Sequence, residues 1–316
     1  MEKRRLGQSE LRVGRVAFGG NVFGWTVDEK TGFRLLDAFV ARGFNMVDTA
    51  DIYTHWAPGA EGGESETLIG NWMKSRGNRH KVIIATKVGM EMGPDEKGLS
   101  RRWIHLAVEA SLRRLQTDYI DLYQAHTDDA ETPQTETAEA FAALIKAGKA
   151  RVLGASNFSG ARLASALDTC SGAGLPCYQT LQPHYNLYER KTFEGDAQAL
   201  CASRKISVLP YFPLASGFLS GKYRTEADFK KSKRGGSMGK FMNPRGFRIL
   251  DALDDVARRL NATPARVALA WLMQRQAVAA PIVSASSLEQ LEDILQASEL
   301  KLDPEAVRIL DDASAP

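Results

Sequence analysis

The sequence has few cysteines, no long apolar run and almost no excess of charge of either sign. Its three cysteines, Cys170, Cys177 and Cys201, form no CxxC pair, and an odd number suits a reducing compartment better than a disulfide framework. No stretch approaches the roughly 18 uninterrupted apolar residues of a membrane-spanning helix, and the N-terminus MEKRRLGQSE lacks the apolar segment of a signal peptide. We therefore expect a cytoplasmic protein with no membrane partner.

The charge balance argues against a nucleic acid as the main partner. The 41 basic and 38 acidic side chains leave a net charge of +3. The electrostatic field of so small a charge is too weak to predict binding to DNA, RNA or a membrane surface. The five histidines show neither HxH nor HExxH spacing, so we expect no metal site. A small molecule is the expected partner, and the oligomeric state cannot be read from the sequence.

The hydrophobic pattern is that of repeated βα units. Apolar residues make up 44% of the chain and charged residues 25%, as in a globular protein with a sizeable core. Short β-branched runs recur, and each is followed by a longer amphipathic segment. The runs are 15–20, 45–50, 81–88, 119–125, 150–156, 177–185, 206–213 and 279–285. Eight parallel strands that alternate with helices favour a closed (β/α)8 TIM barrel over an open sheet.

Two of the predicted helices have recognisable ends. The segment DEKTGFRLLDAFVARG repeats apolar residues at spacings of three and four, and Gly43 is its predicted C-cap. Ser100 is the predicted N-cap of a second helix over 100–116.

Two segments lie outside the repeat. The opening residues 1–14 predict a β-hairpin at the floor of the barrel. Residues 221–248 are strongly basic and too long for a tight turn, so they are either a solvated mobile loop or a flap that holds an anionic ligand. No linker divides the chain, and we expect one domain over 1–316 that includes this basic loop.

Polar side chains end three of the apolar runs. Asp48 ends one run and has Tyr53 in the loop beyond it, Lys87 ends a second, and His126 ends a third. In a barrel of this kind the reactive groups lie at the carboxyl ends of the strands. A buried lysine requires an opposite charge, which Asp48 supplies. Each residue taken alone has a structural explanation, but the four together at one rim favour a catalytic role.

These four side chains suit acid–base chemistry on an oxygen atom. A phenol has a pKa of about 10, and a neighbouring ammonium is expected to lower it, so that Tyr53 becomes a usable acid. Asp48 would keep Lys87 charged, and His126 would orient a carbonyl oxygen or relay the proton. Because the set supplies no hydride, it implies a nicotinamide cofactor.

The motifs around these residues resemble those of the aldo-keto reductase family, over nearly the whole chain. They are GFNMVDTADIY, IIATKVG and DLYQAH, which carry Asp48, Tyr53, Lys87 and His126. The resemblance implies an NAD(P)-dependent oxidoreductase, an aldo-keto reductase or an alcohol or sugar dehydrogenase. It would transfer a hydride between the nicotinamide and an aldehyde, ketone or sugar, with Tyr53 as general acid or base.

Further segments are similar to the cofactor-binding parts of the family. LGASNF and TLQPHYNL match segments that hold the nicotinamide carboxamide, and YFPLASGFLSGKY matches the stretch that stacks a ring on the nicotinamide and wraps the pyrophosphate. From the residues alone, the Ser and Asn of the first segment are equally suited to capping the next helix, and Ser159 is a further candidate cap. No GxGxxG motif is present, so barrel loops must hold the cofactor. The predicted cofactor contacts are Gly20, Asn21, Ser156, Asn157, Gln182, Tyr211, Pro213, Leu214, Gly217, Leu219, Gly221, Lys222, Ser284, Ser286 and Gln290.

The last βα junction departs from the family pattern. Family members often carry a Lys or Arg there that binds the adenosine 2′-phosphate, but no basic residue occurs between Arg275 and Lys301. We therefore expect NAD(H) to be modestly favoured over NADP(H), unless basic residues of the 221–248 loop reach the phosphate.

The predicted substrate contacts are Trp25, His55, Trp56 and Met90. Such rings with a few polar tips suit a sugar, an aryl aldehyde or an alicyclic ketone almost equally, and the direction of the reaction stays open. Two other functions compete with the main one. Lys87 would be the nucleophile of a Schiff-base aldolase or lyase, or the protein would be a regulatory subunit that binds the cofactor with little turnover.

Overall fold

Strands and helices alternate along the chain in the structure, a computed structural model that describes residues 2–316. The strands are β1 (Lys3–Arg5), β2 (Arg12–Gly14), β3 (Ala17–Gly19), β4 (Met46–Asp48), β5 (Ile83–Val88), β6 (Ile120–Ala125), β7 (Ala150–Ser156), β8 (Thr180–Gln182), β9 (Ser207–Val208) and β10 (Ile282–Val283). The helices are α1 (Glu29–Ala41), α2 (Glu64–Arg76), α3 (Arg101–Leu115), α4 (Gln134–Lys146), α5 (Gly160–Gly172), α6 (Asp196–Ser203), α7 (Pro244–Arg259), α8 (Pro264–Met273), α9 (Leu288–Gln296) and α10 (Pro304–Ser314).

The eight strands from β3 to β10 close into a barrel. Neighbours are parallel, and the order is β10, β3, β4, β5, β6, β7, β8, β9. The two ends of this sheet meet, because Val208 N donates to Ala277 O at 2.7 Å and Ala279 N donates to Val208 O at 2.9 Å. The predicted (β/α)8 barrel is therefore confirmed.

Helices surround the barrel. Helices α1 to α6 each follow one strand, from β3 to β8, whereas two helices follow β9 and two follow β10. Helix α7 packs against both α8 and α10, so the helices beyond the simple repeat support one another. None of the helices described within residues 2–316 combines the length and apolar character that crossing a bilayer requires.

The predicted helix ends lie at or next to the observed ones. Ser100 Oγ accepts a hydrogen bond from Trp103 N at 3.3 Å and caps α3 as predicted. Helix α1 has Arg42 as its C-cap, and Gly43 follows with a φ of 85°. The predicted cap, Gly43, therefore stands one residue beyond the observed cap, where its left-handed backbone ends the helix at no steric cost.

The hairpin of β1 and β2 covers the amino-terminal end of the barrel, as predicted. Leu6 and Val13 are fully buried and pack with apolar side chains inside the barrel, among them Met46 and Leu122. Gly7 N also donates to the side chain of Ser207 at 2.8 Å. Within residues 2–316, the hairpin closes this end of the barrel, and the large cavity lies at the carboxyl ends of the strands.

The basic loop is shorter and more ordered than its sequence suggests. Helix α7 begins at Pro244, inside the segment 221–248 that was predicted as loop. The reason is a local start signal, because Asn243 caps the helix by accepting a bond from Gly246 N at 3.0 Å and a proline occupies its first turn. The remainder contains short 3-10 turns and buries Tyr223, Met238 and Phe241.

Candidate active site

Adjacent parallel strands bring the four predicted catalytic residues to one rim. Asp48 is the last residue of β4, Lys87 is the penultimate residue of β5, and His126 directly follows β6. Tyr53 lies five residues beyond Asp48 in the loop that leads to α2. Because neighbouring strands end at the same edge, side chains distant in sequence converge there.

The ammonium of Lys87 lies at the centre of this group. Its Nζ donates to Asp48 Oδ2 at 2.7 Å, to Thr49 O at 2.8 Å and to Tyr53 Oη at 2.9 Å. The Lys87 side chain is fully buried. Three acceptors satisfy its three hydrogens, which is what a buried ammonium requires.

Two glutamine amides complete the surroundings of Asp48. Gln182 Nε2 donates to Asp48 Oδ1 at 2.9 Å, and Gln124 Nε2 lies 3.4 Å from the same oxygen. Gln182 was predicted as a cofactor contact, but its amide nitrogen is already used by the carboxylate. Gln124 was missed, although a glutamine in the otherwise apolar end of the strand IDLYQA was a usable signal.

The pKa of Tyr53 departs from the prediction. Burial raises the pKa of Tyr53 to about 12, and the attraction of the Lys87 ammonium, which acts in the predicted direction, offsets only part of this rise. For Lys87, burial acts to lower the pKa, but the charge of Asp48, and next that of Tyr53, outweighs it, so the pKa is raised. At neutral pH the site therefore holds a protonated phenol beside a charged ammonium.

His126 is an uncharged group facing the same space. Burial, and next the nearby Lys87 ammonium, keep the pKa of His126 well below its ordinary range. Its Nδ1 is buried without a hydrogen-bond partner, and its ring centroid lies 6.0 Å from that of Tyr53. Because His126 also lines the cavity, the other nitrogen of this neutral imidazole, Nε2, is the one suited to bind a ligand oxygen.

A cavity of about 730 Å³ opens beside Tyr53 and His126. Most of the predicted ligand contacts lie on its wall, namely Asn21, Trp56, Met90, Ser156, Asn157, Gln182, Tyr211, Pro213, Leu214, Gly217, Lys222, Ser284, Ser286 and Gln290. Sequence reasoning missed other wall residues, which include Gly19, Thr26, Ile52, Phe212, Ser216 and Ser220. Several of these are loop residues whose side chains carry no chemical signal in the sequence.

Five predicted contacts lie off this wall. Gly20 packs against α2, where a Cβ would meet Ser65 Oγ at 2.7 Å, and Leu219 is fully buried in the core. Gly221 forms a left-handed turn with a φ of 77°. His55 is exposed and bonds Glu61 O at 3.1 Å, and Trp25 packs edge to face on Trp56, at 6.1 Å between ring centroids.

Polar contacts at the β7 and β8 ends hold the Tyr211 ring in place. Tyr211 Oη donates to Asn157 Oδ1 at 2.8 Å, and Asn157 Nδ2 donates to His126 O at 2.9 Å. The Tyr211 ring is also stacked on His184, with centroids 5.2 Å apart. Helix α5 is capped by Ser159, which accepts from Arg162 N, so Asn157 is not the cap that the sequence allowed.

The backbone of the next wall segment is strained. Phe212, Ala215 and Ser216 have φ values of 50°, 47° and 58°, which non-glycine residues rarely adopt. Gly217 follows with a φ of 100°. Left-handed residues of this kind cluster at ligand-binding sites, because the surrounding fold must hold them there.

The far end of the cavity lies at the start of α9. Ser284 Oγ lies 2.6 Å from Asn21 Oδ1, and Gln290 Oε1 accepts from Ser286 N at 3.0 Å. Asp293 also lines the wall and is paired with Arg266 at 2.7 Å. Of the basic loop, Lys222, Lys231, Lys233 and Arg234 line the cavity, whereas Lys230 and Lys240 do not.

These surroundings fit a nicotinamide dinucleotide. The fixed ring of Tyr211 and the amide of Asn157 lie on the same wall as Tyr53. The left-handed turn at Gly217 and the side chain of Lys222 come next. The hydroxyls of Ser284 and Ser286 lie at the far end. His126 also lines this region and offers its accessible Nε2 to a further polar atom, since Nδ1 is buried.

The family model described as "Aldo/keto reductase family" matches residues 13–315 of the chain. Among similar proteins, "Uncharacterized oxidoreductase YrpG" of Bacillus subtilis (strain 168) is 37% identical, over 99% of this chain and 95% of its own. "Aldo-keto reductase YhdN" of the same organism is 34% identical over 94% and 87%. "Probable voltage-gated potassium channel subunit beta" of Oryza sativa subsp. japonica is 30% identical over 97% and 94%.

Proposed function

The chain belongs to the aldo/keto reductase family, and we propose that it transfers a hydride between NAD(P)(H) and a small carbonyl or alcohol substrate, with Tyr53 as general acid or base. The observation that carries this proposal is the contact of one buried ammonium, that of Lys87, with both Asp48 and Tyr53 beside a large cavity. The substrate would be an aldehyde, a ketone or a sugar. The three free cysteines support a reducing compartment, the cytoplasm.

The protein supplies the proton chemistry of this reaction. When bound, the cofactor supplies the hydride that reaches the carbonyl carbon. The Tyr53 phenol is protonated at neutral pH and donates its proton to the carbonyl oxygen. Lys87, kept charged by Asp48, stabilises the phenolate that remains, and neutral His126 orients the carbonyl oxygen with its accessible Nε2. In the oxidative direction the phenolate is the base.

Residues on the cavity wall would hold the cofactor. Ser156 and Asn157 would bind the carboxamide, and the Tyr211 ring would stack on the nicotinamide. Lys222, next to the left-handed turn, is suited to the pyrophosphate.

Replacing Tyr53 by phenylalanine tests the role of the phenol. We expect Tyr53→Phe to lower kcat on the order of 10³-fold, because general acid catalysis contributes roughly this much. The Kd for NADH, measured by fluorescence titration, should change little, because the phenol acts in the transition state. Tyr119→Phe, in a tyrosine that does not line the cavity, is the matched control. Turnover retained in Tyr53→Phe would contradict the proposal.

We further infer that NAD(H) is used at least as well as NADP(H). The absence of basic residues between Arg275 and Lys301 and the presence of Asp293 on the wall support this preference, while Lys231, Lys233 and Arg234 on the same wall work against it. Steady-state KM and kcat with NADH and NADPH measure the outcome. A reproducible advantage for NADPH in kcat/KM would contradict this inference, and an advantage of about tenfold would correspond to roughly one charge-assisted hydrogen bond.

A Schiff-base mechanism through Lys87 is disfavoured. A nucleophilic lysine must be deprotonated, whereas the pKa of Lys87 is raised by Asp48 against the effect of burial. We expect no adduct at Lys87 after borohydride treatment with a carbonyl substrate, and mass spectrometry of the tryptic peptide would detect one.

A regulatory role is favoured by one observation, that the rice relative is named as a probable channel subunit. Tight cofactor binding with negligible reduction of a broad aldehyde and sugar panel would support this second candidate. Turnover that depends on Tyr53 would exclude it as the main role.

A further inference from the structure

Tyr53 is held differently from the other three side chains at the rim. Asp48 and Lys87 lie within strands and His126 directly follows one, whereas Tyr53 lies in the loop between β4 and α2. Side chains on loops are positioned less precisely than side chains on strands, unless other contacts fix the loop. The position of the phenol therefore depends on what this loop contacts.

The residue that follows Tyr53 has a strained backbone. Thr54 has a φ of 86°, and a positive φ is a steric outlier for a β-branched residue. Such a conformation persists only where the surrounding structure holds it. Thr54 is fully buried and does not line the described cavity. The contacts that hold it are therefore with the protein and not with a ligand in that cavity.

The hydroxyl of Thr54 joins this loop to the loop that follows β3. Its Oγ1 donates to Phe23 O at 2.8 Å, and within residues 2–316 no other donor bonds this oxygen. The two loops approach closely there, because a Cβ added at Gly24 would meet Thr54 Cγ2 at 3.4 Å. Phe23 is fully buried, and its ring is stacked on Phe18 of β3 with centroids 5.4 Å apart. The hydroxyl thus attaches the Tyr53 loop to the core of the barrel.

The contacts on the cavity side of the loop are less restrictive. The Trp56 ring lies edge to face on Tyr53, with centroids 5.8 Å apart, but it is 48% exposed. The bond between Thr54 and Phe23 is buried, and a buried polar group that loses its partner pays the full cost of desolvation. This bond therefore constrains the loop more strongly than the half-exposed ring does.

We propose that Thr54 is a positioning residue for Tyr53, and that its hydroxyl, bonded to the Phe23 carbonyl, keeps the phenol where it meets Lys87. The residue itself touches neither substrate nor cofactor, and it acts through the loop that carries Tyr53. This inference rests on the proposed function, because it assumes that Tyr53 is the acid of the reaction.

Three variants of Thr54 test this inference. Thr54→Val keeps the branched shape without the hydroxyl, Thr54→Gly removes the hydroxyl and adopts a φ of 86° without strain, and Thr54→Ser keeps the hydroxyl. We expect the first two to lower kcat roughly 10- to 100-fold, the loss that a displaced reacting group causes, and Thr54→Ser to keep kcat within about threefold. The Kd for NADH, measured by fluorescence titration, should stay within about twofold in all three, because Thr54 does not line the cavity.

Thr137→Val is the matched control, because it removes the same kind of bond away from the cavity wall. The buried Thr137 hydroxyl donates to Leu99 O at 3.0 Å, and we expect its loss to leave kcat unchanged. Equal losses of kcat in Thr54→Val and Thr137→Val would assign both effects to stability and would overturn the inference. A kcat retained in Thr54→Gly would also overturn it, since the left-handed backbone alone would then be sufficient.

Hydrogen exchange, measured by mass spectrometry, separates this inference from the proposed function because it requires no turnover. We expect the amides of residues 50–57 to exchange about tenfold faster in Thr54→Val and Thr54→Gly, since the loop is released, and no faster in Thr54→Ser or Thr137→Val. That result supports the inference even where Tyr53→Phe retains turnover, which would defeat only the proposed catalysis. Unchanged exchange in both Thr54→Val and Thr54→Gly would overturn the inference even in an active enzyme.

Discussion

Among individual residues, Lys87 is the one that links the other side chains of the site. Its ammonium binds Asp48, Thr49 and Tyr53 and is fully buried. One side chain thereby keeps a carboxylate paired and a phenol in position. Catalysis and stability are coupled at this residue.

Removing this charge should damage both properties. We expect Lys87→Met to lower the free energy of unfolding by about 3–5 kcal/mol, because Asp48 stays buried without its counter-charge, and to abolish turnover. Urea denaturation and steady-state kinetics measure the two effects. The double variant with Asp48→Asn should regain part of the stability but no activity. A double variant no more stable than the single one would show that the ion pair is not the cause.

Asp51 is a buried carboxyl close to the catalytic residues. It is 1% exposed, its Oδ1 accepts from Ile52 N at 2.7 Å, and its Oδ2 has no partner. Burial, and next the charge of Glu66, raise the pKa of Asp51 to about 8, while Arg114 and Lys87 offset only part of this rise. Since an unfolded aspartic acid titrates near pH 4, folding takes up a proton at this residue.

This proton uptake sets a pH dependence of stability. Between about pH 4 and pH 8 the folded protein binds more protons at Asp51 than the unfolded chain does, so its contribution to stability falls as the pH rises. Asp51→Asn, which never ionises, should therefore gain stability relative to the wild type from pH 6 to pH 9, on the order of 2 kcal/mol at pH 9. Denaturation curves at several pH values measure this, and a constant difference across the range would contradict it.

Among the elements, the floor hairpin has the clearest structural role. Leu6 is fully buried in the cluster at the bottom of the barrel, at the end away from Tyr53. The hairpin should therefore contribute to stability and not to the chemistry.

Truncating Leu6 tests this separation. Leu6→Ala should lower the free energy of unfolding by about 2–5 kcal/mol, because it leaves a cavity in a closed core, with kcat nearly unchanged. Leu106→Ala, at a residue that is 49% exposed on α3, is the control and should change stability little. Equal losses in both variants would show that the hairpin is not part of the core.

The strands and helices also show which parts of the fold the hydrophobic pattern can predict. The β-branched runs predicted the barrel strands because a strand buried on both faces is apolar throughout. The end of the basic loop was misassigned, because the start signal of Asn243 and Pro244 was not recognised. Cap chemistry is local, so that error was avoidable.

In the molecule as a whole, the basic loop forms part of the cavity wall and contacts the loop that follows β3. Lys231 and Arg234 line the wall, and Lys233 bonds Trp25 in the loop that follows β3. A cofactor in the cavity would contact this loop and the barrel together, so ligand binding should stabilise the loop more than the rest of the protein.

Limited proteolysis measures this effect. We expect saturating NADH or NADPH to slow tryptic cleavage between residues 221 and 243, since a ligand at 100 times its Kd stabilises the bound form by about 2.7 kcal/mol. Cleavage at the exposed Arg12 of the floor hairpin is the internal control and should change less. Equal protection at both places would indicate global stabilisation alone.

The fold and the four residues at the rim could be predicted from the local pattern of apolar and polar residues in the sequence. Apolar runs that end in Asp48, Lys87 and His126 predict a shared edge, because parallel strands all end on one side. A buried lysine also predicts its own counter-charge, since an unpaired one is costly. Both arguments need only neighbouring residues and general physical chemistry.

Tertiary packing determined the protonation and the wall contacts of the site. Burial reversed the expected change in the pKa of Tyr53, close packing removed Gly20 and Leu219 from the cavity wall, and the fold brought Arg234 over Trp25. Each outcome depends on solvent exclusion or on contacts between residues far apart in the chain. Such effects arise only when the barrel is closed and its loops are packed, so no local pattern contains them.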